Sequence, residues 1–194
     1  MHVHVPSAAC CFLFRFVLGR GSDAGLVPVP DVRGESDTRG WYISAGALLR
    51  APGDAAAALV RTMSRYARQQ VQLPPAGLDV DAIVESQAAF VTDILGHALE
   101  RECVLPLREP TALPSHPGDE PPISLMGVVA DASASTIPPH VPVLDPALFG
   151  PSDRLDAVMD ASPAAAALLL ASPQTDRLWR EAHKLGLIRA ADSI

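Results

Sequence analysis

Arg61, Arg65 and Arg68 recur at spacings of four and three in a stretch that reads as helix. At 100° per residue they line one face, opposite the stripe of Leu59, Val60, Met63, Tyr66 and Ala67. No acid stands four residues from any of the three. Stacked guanidinium groups repel one another, and an external anion relieves that repulsion. The planar guanidinium fork grips phosphate oxygens bidentately, so phosphate binding is the chemistry this spacing suits best. The same stripe also suits a plain solvated helix face. A second set lies upstream, where Arg33 and Arg39-Gly40 flank a turn that leads into Trp41-Tyr42. Either aromatic can stack on an unpaired base or pack in the core. Arg15 sits inside a short apolar strand, as a further cation or as an ordinary solvent-facing strand residue.

Other chemistries find little to use. The chain has no Gly-x-Ser-x-Gly, no His-Glu-x-x-His, no Cys/His cluster and no convincing pair of carboxylates. No catalytic residue, cofactor or metal is therefore expected, and the protein is not read as an enzyme. Cys10, Cys11 and Cys103 are odd in number and lack a Cys-x-x-Cys pair. That argues against a disulfide framework and a tetrahedral zinc site, and it fits a cytoplasmic location. His97 and Glu100, three apart, make at best half a metal site. Gly19–Gly25 lacks the Gly-Lys-Ser/Thr ending of a phosphate loop and reads as a hairpin turn. The apolar run Ala8–Leu18 is interrupted by Arg15, and about 11 residues cannot span a bilayer. It reads as a buried strand after an irregular arm at Met1–Ser7, and no membrane partner is expected.

The elements that must position these arginines follow from periodicity. The net charge of −7 is uneven: residues 1–75 carry eight arginines and five acids, a balance of +3, and residues 76–194 balance at −10. Any polyanion contact belongs in the first part. Phe12, Phe14 and Phe16 alternate with Leu13, Arg15 and Val17, which predicts a strand, with Leu26–Pro30 and Trp41–Ile43 as two more. Ser44 caps a short helix over Ala45–Arg50, and Asp54 is expected to cap a second over Ala55–Gln69. Asp79 caps a long amphipathic helix running to about Glu102. Residues 104–122 are Pro-rich and without periodicity, and are read as a linker. Beyond it come strands at Ile123–Asp131 and Val141–Leu144 and a helix at Ser152–Met159. Ala164–Ala171 is strand or helix, and a last helix over Gln174–Gly186 is expected to stop near its glycine. The expected fold is an α+β domain at 10–103, with a small three-stranded sheet and helices, followed by an α/β sandwich domain at 123–190.

In this order the elements resemble the YlxR family, small bacterial proteins encoded beside transcription and translation factors. Arg15-Phe16-Val17 matches the family's Arg-Phe-Val strand and Val29-Pro30-Asp31 its Val-Pro-Asp turn. Gly34 and Arg39-Gly40 match its Gly-Arg-Gly loop, and Trp41-Tyr42-Ile43-Ser44 its aromatic strand ending in Ser. Arg65-Tyr66-Ala67-Arg68 is similar to its aromatic-Ala-Arg segment. Alphaproteobacterial members carry a second domain similar to the kink-turn-binding ribosomal proteins, which Val128–Ser133, Val141–Leu144 and Arg177–Ala182 resemble. The chain departs from the family at Ser36-Asp37-Thr38, which replaces Leu-Pro-Gly and adds an acid beside the loop. It also lacks the second domain's Gly-Phe-Glu-Lys-Val stretch. The resemblance implies an RNA-binding accessory protein of translation or RNA processing, acting on structured or ribosomal RNA. It assigns the RNA face to Arg15, Arg33, Arg39, Gly40, Trp41, Arg61, Arg65 and Arg68. The alternative reading is a protein-interaction or structural module that has lost RNA binding and meets a protein partner through its acidic second half.

Overall fold

The alternation around Arg15 does make a strand. In the computed structural model, which describes residues 13–21, 25–74, 77–109, 113–115, 124–131 and 137–191, Phe14 and Phe16 point into a core and Leu13 is exposed. β1 (Leu13–Arg20) is the middle strand of a three-stranded antiparallel sheet, between β2 (Leu26–Pro30) and β3 (Trp41–Ser44). Its register runs from Phe16↔Pro30 to Arg20↔Leu26 on one side and from Leu13↔Ser44 to Phe16↔Trp41 on the other. Gly21 N–H donates to the Gly25 carbonyl at 2.8 Å, closing the glycine-rich stretch as a hairpin.

Ser44 ends β3 and caps α1 (Ala45–Arg50), its Oγ accepting from Ala47 N–H. α2 (Pro52–Ala67) begins with proline in its first turn, where no N–H is needed. Ala51 is its N-cap, and Asp54 lies inside the first turn rather than at the cap expected for it. There its charge still favours the helix N-terminus. Trp41, Ile43, Leu48, Leu59 and Met63 close over Phe14 and Phe16, with Val71 and Ile83. Ile83 comes from α3 (Val80–Glu100), whose entry is held by Ala82 N–H on Asp79 Oδ1.

The chain divides into two compact units: the described residues up to Ser86, with those from Leu187, and Gln87–Gly186. The second unit holds a mixed sheet in the order β4-β7-β5-β6, from Val104–Pro106, Ala166–Leu170, Leu125–Ala130 and Val143–Leu144. β5 and β6 are parallel; the other pairs are antiparallel. Helices α4 (Asp153–Asp160) and α5 (Pro173–Ala191) complete the element order. Two expectations change here, and one left open is decided. Val104–Pro106, at the head of the expected linker, is an edge strand, and Leu107 and Leu113 after it are buried. A three-residue strand has no periodicity to read, and its pairing partner β7 lies far along the chain. Ala166–Leu170 is strand, four of its five residues being buried. α5 continues through Gly186, where a Cβ would stand 3.6 Å from Leu148 in ordinary contact, so the glycine does not terminate the helix. The arm expected at Met1–Ser7, the pair Cys10-Cys11, and residues 110–112 and 116–122 of the expected linker lie outside the described residues.

Candidate functional site

The turn after β2 is organised by Asp31. Its N–H donates to the Arg15 carbonyl at 2.8 Å, and its carbonyl accepts from Gly34 N–H at 3.2 Å. Gly34 has φ +68°, which a glycine adopts without strain. The Asp31 carboxylate accepts from Glu35 N–H and Ser36 N–H and pairs with the Arg15 guanidinium. The other end of that guanidinium donates to the carbonyls of Ser36 (2.9 Å) and Thr38 (2.6 Å). Gly40 completes the cage, because a Cβ there would meet Arg15 Cγ at 3.0 Å and Cδ at 3.1 Å. Arg15 is thus the internal tie of this loop, with its side chain 18% exposed. It was expected as a phosphate contact; its donors are instead spent on one carboxylate and two carbonyls. Gly40 belongs to the site as the residue that lets Arg15 pass.

Arg39 takes a different path. Its guanidinium carbon sits 4.0 Å from the centroid of the Tyr66 ring, a cation–π geometry. Tyr66 in turn meets Trp41 edge-on, with centroids 5.6 Å apart and planes at 72°. Trp41 is 9% exposed and forms the floor of this stack, so it supports the site from the core and is not open to a base. Among the described residues the exposed aromatics are Tyr66 (54%) and Tyr42 (59%). Tyr66 is the residue that periodicity misplaced on the apolar stripe of its helix. The signal for it was the Arg65-Tyr66-Ala67-Arg68 segment rather than its helical position. Asp37, the acid beside the loop, is exposed and does not pair with Arg39.

Contact with Tyr66 carries Arg39 to the C-terminal half of α2, where Arg61 and Arg65 lie. Both are exposed and have no hydrogen-bond or ion-pair partner among the described residues. Arg68 is exposed as well, but it occupies the left-handed C-cap at φ 54°, ψ 26°. It therefore leaves the helical stripe and ends the row beyond the last turn. Arg33 is exposed on the preceding loop. Beside this cluster a cleft of about 570 Å³ runs between β3 and α2, with Gly40–Ser44 on one wall, Ala55, Ala58, Leu59 and Thr62 on the other, and Arg39 among its lining residues.

Several cations of the second unit are engaged internally. Lys184 Nζ lies 2.8 Å from Glu181 Oε2, which also accepts from the buried Gln87 at 2.9 Å. Arg180 pairs with Asp176 and Arg154 with Glu100. Arg177 lies over the Phe90 ring at 4.9 Å. Glu100 thereby spends a carboxylate oxygen on Arg154, away from the half-site with His97. Among the described residues no group of three His, Cys, Asp or Glu side chains is placed to hold a metal, and no helix is long and apolar enough to cross a membrane. Set against family models, curated proteins and solved structures, the chain matches none of them.

Proposed function

We propose that the protein is an RNA-binding accessory factor of translation or RNA processing, which contacts phosphates through the arginine-rich face of its first unit. One observation carries this reading: Arg39, oriented by Tyr66, adjoins the helix that bears the exposed and unpartnered Arg61 and Arg65. Cations gathered without acids are tolerated in water and favoured by a polyanion. Tyr66 offers a ring that is already half covered by a cation and still open on its remaining surface, which suits a nucleobase next to a phosphate. The resemblance of the loop and strand to the YlxR family supports the same reading. Arg33 and Arg68 extend the face, while Arg15, Gly40 and Trp41 shape it.

Fluorescence anisotropy with a labelled RNA hairpin tests the proposal. Binding should weaken steeply with salt, because each phosphate contact releases counterions. The variant R39Q/R61Q/R65Q should bind more weakly at all salt concentrations and flatten the log–log salt slope by about one for each arginine lost. Absence of binding at low salt, or an unchanged slope in the triple variant, overturns the reading.

A further inference from the structure

Antiparallel pairing alternates the side toward which successive residues aim their backbone N–H and C=O. Asp31 N–H donates to the Arg15 carbonyl, so Arg15 faces β2. Phe14 and Phe16 therefore face β3, bonding Ile43 and Trp41 in register. Tyr42, which stands opposite Arg15, aims its N–H and C=O away from the sheet, and Ser44 aims its N–H the same way. No described residue bonds the Tyr42 backbone.

The other edges are closed. On β2 the same alternation turns Pro28 and Pro30 outward, and proline offers no N–H. The Leu26 carbonyl beside them already accepts from Gln72 N–H at 2.8 Å. β4 ends in Pro106, and β6 has only two residues, between Pro142 and Pro146. Among the described edges, β3 alone is open and free of proline. It is also the wall of the cleft. Five consecutive residues, Gly40–Ser44, line that wall. Consecutive residues of both parities line a wall where a strand turns its edge to it, which suits this lining. Opposite stand Ala55, Ala58 and Thr62, all with small side chains. Arg39, next to the start of β3, marks one end of the groove, and Arg65 lies one turn beyond Thr62 on the same helix.

We propose that the groove between β3 and α2 binds an extended peptide from a partner protein, added antiparallel to β3, with an acidic residue near its C-terminal end meeting Arg39. Antiparallel addition runs the peptide's C-terminal end toward the start of β3, where that guanidinium lies. The outward pair on Tyr42, one donor and one acceptor at strand spacing, complements a peptide backbone; phosphate groups offer acceptors only, and an RNA strand would have to supply the donor from a 2′-OH or a base. Main-chain bonds then supply affinity and Arg39 the charge preference. The proposal does not rest on RNA binding, and either can fail alone.

The full chain, ¹⁵N-labelled, is titrated with the probe acetyl-Val-Thr-Val-Thr-Asp-Glu-amide. Saturable binding with shifts centred on the Tyr42 and Ser44 amides is expected. A probe ending in Arg-Lys should bind more weakly. Tyr42→Pro removes the outward donor while sparing the β1 ladder, and should weaken binding about tenfold. Ala58→Gln fills the facing wall and should weaken it comparably; if Tyr42→Pro does not fold, this variant decides. Lack of saturation, shifts located elsewhere, undiminished binding by the folded variants, or the same amides answering octauridylate instead of the peptide each overturn the proposal.

Discussion

Arg15 and Arg65 carry the same guanidinium and meet opposite surroundings. The first is bonded to a carboxylate and two carbonyls, whereas the second extends from an exposed helix face. Arg15→Gln should lower stability by about 1–3 kcal/mol in urea unfolding, the usual worth of charged hydrogen bonds in a part-buried site. It should leave the salt slope of RNA binding near that of the parent. Arg65→Gln should do the reverse, with little loss of stability and a slope about one unit shallower. Equal effects of the two on the slope would remove the distinction. Local pattern cannot sort these arginines, because the sorting depends on Asp31, sixteen positions from Arg15, and on Gly40, which leaves space. Likewise the sequence places an acid, Asp37, close to Arg39. The structure turns Arg39 to Tyr66 and gives the carboxylate role to Asp31.

Elements with strong local signals were legible. The phenylalanine alternation, the Ser44 cap and the long apolar face of α3 each decide their own conformation locally. β4 and the end of α5 were not legible: pairing with β7 decides the first from a distance, and Gly186, read as a stop, lies inside the second. Glycine shows the same division. Gly96 lies inside α3 with nothing within 4 Å of where a Cβ would go. Gly96→Ala should raise stability by about 0.5–1 kcal/mol through helix propensity and a less flexible unfolded chain. At Gly127, in β5, a Cβ would fall 2.8 Å from both the Pro142 carbonyl oxygen and the Trp179 ring. Gly127→Ala should cost about 1–3 kcal/mol by overpacking. Thermal or urea unfolding of the two variants checks both signs, and a stabilised Gly127→Ala would refute the packing described around Trp179.

At the scale of the whole molecule, a net charge of −7 conceals a first part balanced at +3. Acids of the second unit, among them Glu181, Asp176 and Glu100, hold cations of that unit. The cage around Arg15 has a further consequence for the chain as a covalent target. With a single lysine, Lys184, itself paired, amine reagents have little to report on, and arginine reagents such as phenylglyoxal become the informative labels. Peptide mapping by mass spectrometry should find Arg61, Arg65 and Arg68 modified first and Arg15 last. A guanidinium held on three sides can react only when the 31–40 loop opens, so the rate at Arg15 becomes a clock for that opening. Fast labelling of Arg15 in the native protein would mean that its cage is open for much of the time. Slow labelling that accelerates in an Asp31→Asn variant would time the loop by a single carboxylate.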